Sequence, residues 1–242
     1  MSINKNIYTL FSILFFLTGT YCSSKIVEVK KEITVTQKKQ KFKEVLVPVI
    51  SDVFQNLEKQ YLSIQEDMKN NKNLENIEKL KKDYDVKTNE ALLIALKPHP
   101  ISIVLAQAAV ESGWLTSRFT REANNIFGVW SFNKNEPRIA ASGLRGDKII
   151  YLKKYKTIKD AIFDYYKNLG KHRAYKKFRE KRTETNDPYI LSTYLENYSE
   201  RREEYTKLLK SIMQYNIFDK YDLKSEISLK IKVEEKNISE NI

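Results

Sequence analysis

Cysteine occurs once in these 242 residues, at Cys22, so an intrachain disulfide framework is excluded. Histidine occurs twice, which leaves no material for a zinc site built on His and Cys. A site made of carboxylates alone stays open. With six glycines in all, the chain has no glycine-rich phosphate loop. Long apolar runs are missing as well. The best, from Ile7 to Leu17, is too short for a spanning helix. Acidic residues are the minority among the charges, 31 against 43 basic, giving a formal net charge of +12. Such a surface suits an anionic polymer: nucleic acid, an acidic glycan or a membrane face. No nucleic-acid motif accompanies the charge, and a lysine-rich chain with solvated faces accounts for it equally well.

What is present starts with an export signal. Lys5, the apolar run and the small residues around Thr18–Thr20 give residues 1–24 the layout of a signal peptide or membrane anchor. Cys22 invites lipidation as a mature N-terminus, but Tyr21 stands where a small residue is usual and no leucine lies three before it. Cleavage without lipidation, or an uncleaved anchor, competes with that reading. Residues 25–44 are polar and lysine-rich, with weak alternation, and are expected to be a spacer or an extended segment. Residues 45–221 are expected to form the main folded domain with its N-terminal helices, and residues 222–242 a charged tail.

Within 45–221 the pattern is mostly helical. Val45, Val49, Val53, Leu57 and Tyr61 recur every four residues, and Leu74, Ile77 and Leu80 continue in a second helix. Thr88 is a candidate N-cap, and Ser117–Glu122 reads as a short turn of helix. Asn125–Phe132 alternates and reads as a strand. Asn133–Asp147, with Pro137 and two glycines, reads as a loop, and Lys148–Tyr155 as a second strand. Thr157 with Asp160 resembles a capping box for a helix that Gly170 is expected to stop. Asp187-Pro188 opens another helix, and Glu200–Tyr215 is the last strong one. The expected fold class is mainly α (α+β), a helical domain with a small β-hairpin lobe.

One helix concentrates the chemistry. Pro98 and Pro100 open it, and Ile101, Ile103, Val104, Leu105, Ala108, Ala109 and Val110 make it apolar nearly all round. It ends in Glu111-Ser112-Gly113-Trp114, with Gly113 a natural stop. Glu111 lies one turn after Gln107 on the same face. Burial and the negative end of the helix dipole both disfavour its charged form, as a general acid requires. Ser112 either hydrogen-bonds near Glu111 or terminates the helix. The residues that follow are rich in aromatics (Trp114, Phe119, Phe127, Trp130) and in the amides of Asn124 and Asn125. Aromatic faces beside amides hold sugar rings, although aromatics are also ordinary core residues and Asn an ordinary turn former.

The run from Ala106 to Trp130, AQAAVESGWLTSRFTREANNIFGVW, resembles the signature of the glucosaminidase family of peptidoglycan hydrolases, glycoside hydrolase family 73, and is most similar to its Bax-like branch. The likeness continues through Lys154-Tyr155, Leu169–Tyr175 and Tyr198-Ser-Glu-Arg201 with Tyr205 and Ile212, over roughly residues 86–219. It implies a lysozyme-like fold and an exported enzyme of the periplasm or cell envelope. That enzyme would be an endo-β-N-acetylglucosaminidase cutting β-1,4 linkages of peptidoglycan glycan strands, monomeric, needing neither cofactor nor metal and binding no nucleic acid. By the same resemblance Glu111 is the acid and Tyr198 a supporting catalytic residue. Gln107, Ser112, Trp114, Asn124, Asn125, Phe127 and Trp130 would shape or line the substrate cleft. A second carboxylate would be Glu136 or Asp147; otherwise the sugar's own 2-acetamido group attacks. A lytic transglycosylase and a non-catalytic peptidoglycan-binding envelope protein remain the alternatives.

Overall fold

Regular structure starts earlier than the hydrophobic pattern alone implies. The computed structural model describes residues 33–145 and 148–223, so residues 1–24, Cys22, Asp147 and the tail beyond residue 223 lie outside the described residues. The Thr34 hydroxyl accepts from the Gln37 amide at 3.2 Å, and the Gln37 side chain accepts from the Thr34 amide at 2.9 Å. This reciprocal cap launches α1 (Val35–Lys69). Residues 35–44, expected as spacer, are therefore helical, anchored by the fully buried Phe42. The buried stripe of α1 is Phe42, Leu46, Ile50, Val53, Phe54, Leu57 and Ile64. Val45 and Val49, expected inward, stand half-buried at its edge. The larger side chains one position away bury more apolar area and set the rotation of the helix.

The far end of α1 joins α2 (Leu74–Tyr84) and α3 (Asn89–Leu96) around a small core of Ile64, Ile77, Leu92 and Leu96. Thr88 caps α3 by accepting from the Ala91 amide at 3.1 Å. The main core surrounds α4 (Ile101–Ser112), with ten of its twelve residues buried. It packs between α1 and the last helix, α9 (Glu203–Asn216). Burying Ile101, Ile103, Val104 and Leu105 of α4 contributes roughly 1.5–3 kcal/mol each. Pro100 at its N-cap offers no side-chain acceptor, and Asp222 supplies one: its Oδ1 accepts from the Ser102 amide at 2.9 Å.

Ser117 caps α5 (Arg118–Ala123), and Thr157 with Asp160 forms the expected box at the start of α6 (Ile158–Lys171). Gly170 does not stop α6, which runs to Lys171. Its role is spatial: a Cβ there would meet the Ala95 carbonyl oxygen at 2.7 Å. A 3-10 turn (Arg173–Tyr175) leads to α7 (Lys176–Glu184). Asp187 then caps the short α8 (Pro188–Leu191), followed by a 3-10 segment (Ser192–Tyr198). The final helix begins at Glu203, three residues later than its pattern implies.

The β lobe differs from expectation. β1 (Arg138–Arg145) lies inside the segment expected as a loop, and pairs antiparallel with β2 (Lys148–Lys153). Arg138 faces Lys153 and Ala140 faces Tyr151; the register then shifts before Leu144 meets Ile149. Asn125–Phe132, expected as a strand, makes a single bridge, Trp130 to Leu152. Asn125 is the cause. Its side chain accepts from the Val129 amide and donates to the Val129 and Lys153 carbonyls, closing a loop that Gly128 completes at φ +66°. The architecture is thus mostly helical with one small hairpin, as the pattern as a whole implies.

Candidate functional site

Glu111 stands on the last turn of α4, where the chain reverses sharply. Gly113, Trp114 and Leu115 all adopt positive φ, at 56°, 60° and 67°. For the two non-glycine residues such geometry costs about 1–3 kcal/mol each and has to be held from outside. Ser112 does part of this. It is fully buried, donates to the Ala108 carbonyl at 2.5 Å and accepts from the Leu115 amide at 2.9 Å. Trp114 does the rest, its ring 5.0 Å from Phe42, with the Lys39 ammonium 4.9 Å above it. Ser112 and Trp114 thus build the turn that presents Glu111.

A cleft of about 840 Å³ opens beside this turn. Glu111, Phe127, Tyr175 and Tyr198 line one part of it, Trp130 and Phe132 another, and the C-terminal end of α6 with Arg173 a third. Glu111 is half-buried, and burial raises its carboxyl above the ordinary range, opposed by a hydrogen bond from Tyr205. The Tyr205 hydroxyl donates to Glu111 Oε1 at 2.9 Å. Tyr198 stacks on Tyr205 with ring centroids 5.7 Å apart, and its hydroxyl points to the Phe127 carbonyl at 3.4 Å. Burial and the Glu111 charge hold the Tyr198 phenol well above its usual range, so it is a neutral donor at physiological pH.

The remaining expected residues divide by position. Gln107 is fully buried beneath Glu111, out of reach of a ligand in the cleft. Asn124 caps α5 in the left-handed conformation and donates to the Tyr155 and Lys156 carbonyls. Asn125 closes the loop described above. Both amides thus shape the wall from behind. Phe127 lines the cleft, but its ring is 2 % exposed and stacked 4.1 Å from Tyr165, so it offers no open face. Trp130 does, at 38 % exposed, and with it Phe132 at 85 %, their centroids 6.1 Å apart. Phe132 was not singled out in the sequence, though its place two residues after Trp130 was the available signal.

Glu136 accepts from Ser131 at 2.7 Å and is not among the cleft-lining residues. The carboxylates that line the cleft besides Glu111 are Asp85 and Asp164. Asp164 Oδ2 is engaged by Lys153 at 2.9 Å and by the Tyr155 hydroxyl at 2.6 Å. Lys167, Lys171 and Arg173 make the α6 edge of the cleft cationic. Among the described residues no group of three or more His, Cys, Asp or Glu side chains is placed to hold a metal ion.

Comparison with known proteins adds a family. Residues 90–217 match the glucosaminidase model, described as mannosyl-glycoprotein endo-beta-N-acetylglucosaminidase. The chain is 31 % identical over 123 residues to Protein bax of Escherichia coli (strain K12), a match covering 48 % of this chain and 43 % of that protein. It thus spans less than half the length of this curated relative. The fold is similar to the crystal structure of the catalytic domain of the autolysin Auto from Listeria monocytogenes. There the TM-score is 0.50 at 18 % identity, over 79 % of this chain and 92 % of that one. That likeness bears on the fold, which is the lysozyme-like helical domain expected from the sequence.

Proposed function

We propose, from the premise that this chain belongs to the glucosaminidase family, that it is an exported glycoside hydrolase acting on peptidoglycan. It cleaves β-1,4 linkages of N-acetylglucosamine within the glycan strands, as an endo-β-N-acetylglucosaminidase. Glu111 is the general acid. The observation that carries this reading is its position: a half-buried carboxyl with a raised pKa, on a rigid core helix, at the wall of an open cleft. In its protonated form, which burial favours, it delivers its proton to the glycosidic oxygen as the bond to C1 breaks.

The second group is the sugar's own 2-acetamido oxygen, which attacks C1; water then opens the cyclic intermediate. Two observations support this. Of the two other carboxylates that line the cleft, Asp85 and Asp164, the latter is already bound by Lys153 and Tyr155, and Tyr198 offers a neutral hydroxyl on the same wall as Glu111. Trp130 and Phe132 supply exposed ring faces for sugar stacking. The cationic α6 edge suits an anionic wall polymer. Residues 1–24 direct export or anchor the enzyme in the envelope, and the catalytic unit works as a monomer.

The test is mass spectrometry of fragments released from purified peptidoglycan by the protein and by its Glu111→Gln variant. Reducing N-acetylglucosamine ends from the unaltered protein alone are expected. Anhydro ends would move the assignment to a lytic transglycosylase. No release by the unaltered protein would leave it a binding protein.

A further inference from the structure

Beneath Glu111, four side chains from four segments form one continuous hydrogen-bonded chain. His99 Nε2 lies 3.0 Å from the Tyr165 hydroxyl, which donates to Gln107 Oε1 at 2.5 Å. Gln107 Nε2 donates to the Tyr205 hydroxyl at 2.9 Å, and Tyr205 donates to Glu111 Oε1. His99 and Gln107 are fully buried, and Tyr165 and Tyr205 are 1 % exposed. Apolar side chains would fill this space without the desolvation of so many polar groups.

The chain has two self-consistent polarities, because each hydroxyl carries one proton and the Gln107 amide has an acceptor end and a donor end. In one, every group donates toward Glu111. In the other the amide is turned over and every hydroxyl donates toward His99. The last donor must then be Glu111 itself, its acid proton held by Tyr205 and turned away from the cleft. His99 decides between them. In the first polarity Nε2 carries the imidazole proton and Nδ1 is bare. In the second the neutral ring must carry its proton on Nδ1, which is buried with no hydrogen-bond partner among the described residues. An orphaned buried N–H is rarer and less tolerable than an orphaned acceptor. Charging the ring on both nitrogens is opposed by burial and by the nearby Arg182.

We propose that His99, Tyr165 and Gln107 are positioning residues that, acting through Tyr205, hold Glu111 Oε1 as an acceptor and confine the acid proton to Oε2. This rests on the reading of Glu111 as the acid. The titratable groups facing Glu111 are Tyr165 on α6, Tyr175 and Tyr198 on the 3-10 turns and Tyr205 on α9. Asp85, Lys153, Asp164, Lys167, Lys171, His172 and Arg173 share its cleft. Burial raises all four phenols, Tyr175 to about 12, so none titrates with the carboxyl.

The experiment uses Tyr165→Phe, which keeps the ring stacked on Phe127 and removes only the hydroxyl, beside Tyr205→Phe. Two readouts are taken in the full chain: the alkaline limb of kcat/KM on peptidoglycan, and the ¹³C-carboxyl NMR titration of Glu111, assigned by its loss in Glu111→Gln. Tyr205→Phe removes a donor to the charged carboxylate, so the midpoint rises by about half a pH unit or more. Tyr165→Phe is expected to raise it in the same direction and to lower kcat about 5–20-fold with KM unchanged, a fraction of the roughly 10²–10⁴-fold that a general acid contributes. His99→Gln serves if Tyr165→Phe does not fold: its amide donates or accepts equally, so the bias is lost while a hydrogen bond is kept. A wild-type midpoint and kcat in the folded Tyr165→Phe or His99→Gln protein overturns the proposal. Should the unaltered protein release no glycan, the enzymatic reading fails by itself, and the NMR titration still decides this one.

Discussion

Gly170→Ala sets two known effects against each other. Gly170 lies inside α6, where alanine is favoured over glycine by about 0.8–1 kcal/mol. Helix propensity alone therefore makes the substitution stabilising. The structure reverses the sign. The new Cβ would sit 2.7 Å from the Ala95 carbonyl oxygen and 3.0 Å from Tyr84 Cε1. The first of these is backbone at the end of α3 and yields only if the helix moves. Over-filling a packed contact costs about 1–3 kcal/mol, and a rigid neighbour puts this case at the upper end. The net loss is about 2 kcal/mol. For a domain of this size that lowers the melting temperature by about 4–8 °C. Since α6 also carries Asp164 and Tyr165, cleft activity should fall before the protein unfolds. Thermal and urea unfolding of the purified variant decide the matter; a melting temperature equal to or above the parent's would refute the packing argument.

Asp222→Asn tests the cap on α4. Burial raises the Asp222 carboxyl from an ordinary 3.8 to about 6, so its stabilising contribution is full below about pH 4 and is lost as pH rises through 6. The parent should therefore lose at most about 3 kcal/mol between those limits that the Asn variant, which still accepts from the Ser102 amide, does not. Urea midpoints at several pH values read this directly, and parallel pH profiles would contradict it. Ser112→Ala removes the acceptor for the Leu115 amide and should cost about 1–3 kcal/mol, with kcat falling as the Glu111 turn loosens; unchanged stability in calorimetry would show the turn holds without it. Phe132→Ala should leave the fold intact and raise KM several-fold through a lost stacking face worth about 1 kcal/mol, with kcat kept. An unchanged KM would remove Phe132 from the binding surface.

The legible parts of the sequence were those where one local signal decides the outcome. α4 is apolar on every side and capped by Gly113, so its burial and its end followed directly. Thr88, Ser117, Thr157 and Asp187 all cap the helices their side-chain chemistry announces. The errors came where a distant partner overrides local pattern. Asn125–Phe132 alternates like a strand, yet the Asn125 amide satisfies the backbone groups that a ladder would need. β1 contains small residues and Gly143 and looks like a loop; it is a strand because β2 pairs with it. Gly170 reads as a stop until Ala95 is placed against it. The site shows the same division. Glu111 and Tyr198 stood out and share the cleft wall, whereas Tyr165 and His99 carried no local signal. Their hydroxyl and imidazole acquire meaning only when α6 and the segment before α4 are brought together around Gln107.

The most direct measurement of the role of Glu111 compares two substrates whose need for acid assistance differs. One is peptidoglycan, whose leaving sugar must be protonated. The other is a dinitrophenyl glycoside of an N-acetylglucosamine oligomer, whose leaving group departs unaided. Glu111→Gln should lower kcat/KM on peptidoglycan by about 10²–10⁴-fold and spare most of the activity on the aryl glycoside. An equal loss on both substrates, or none on either, would contradict Glu111 as the general acid.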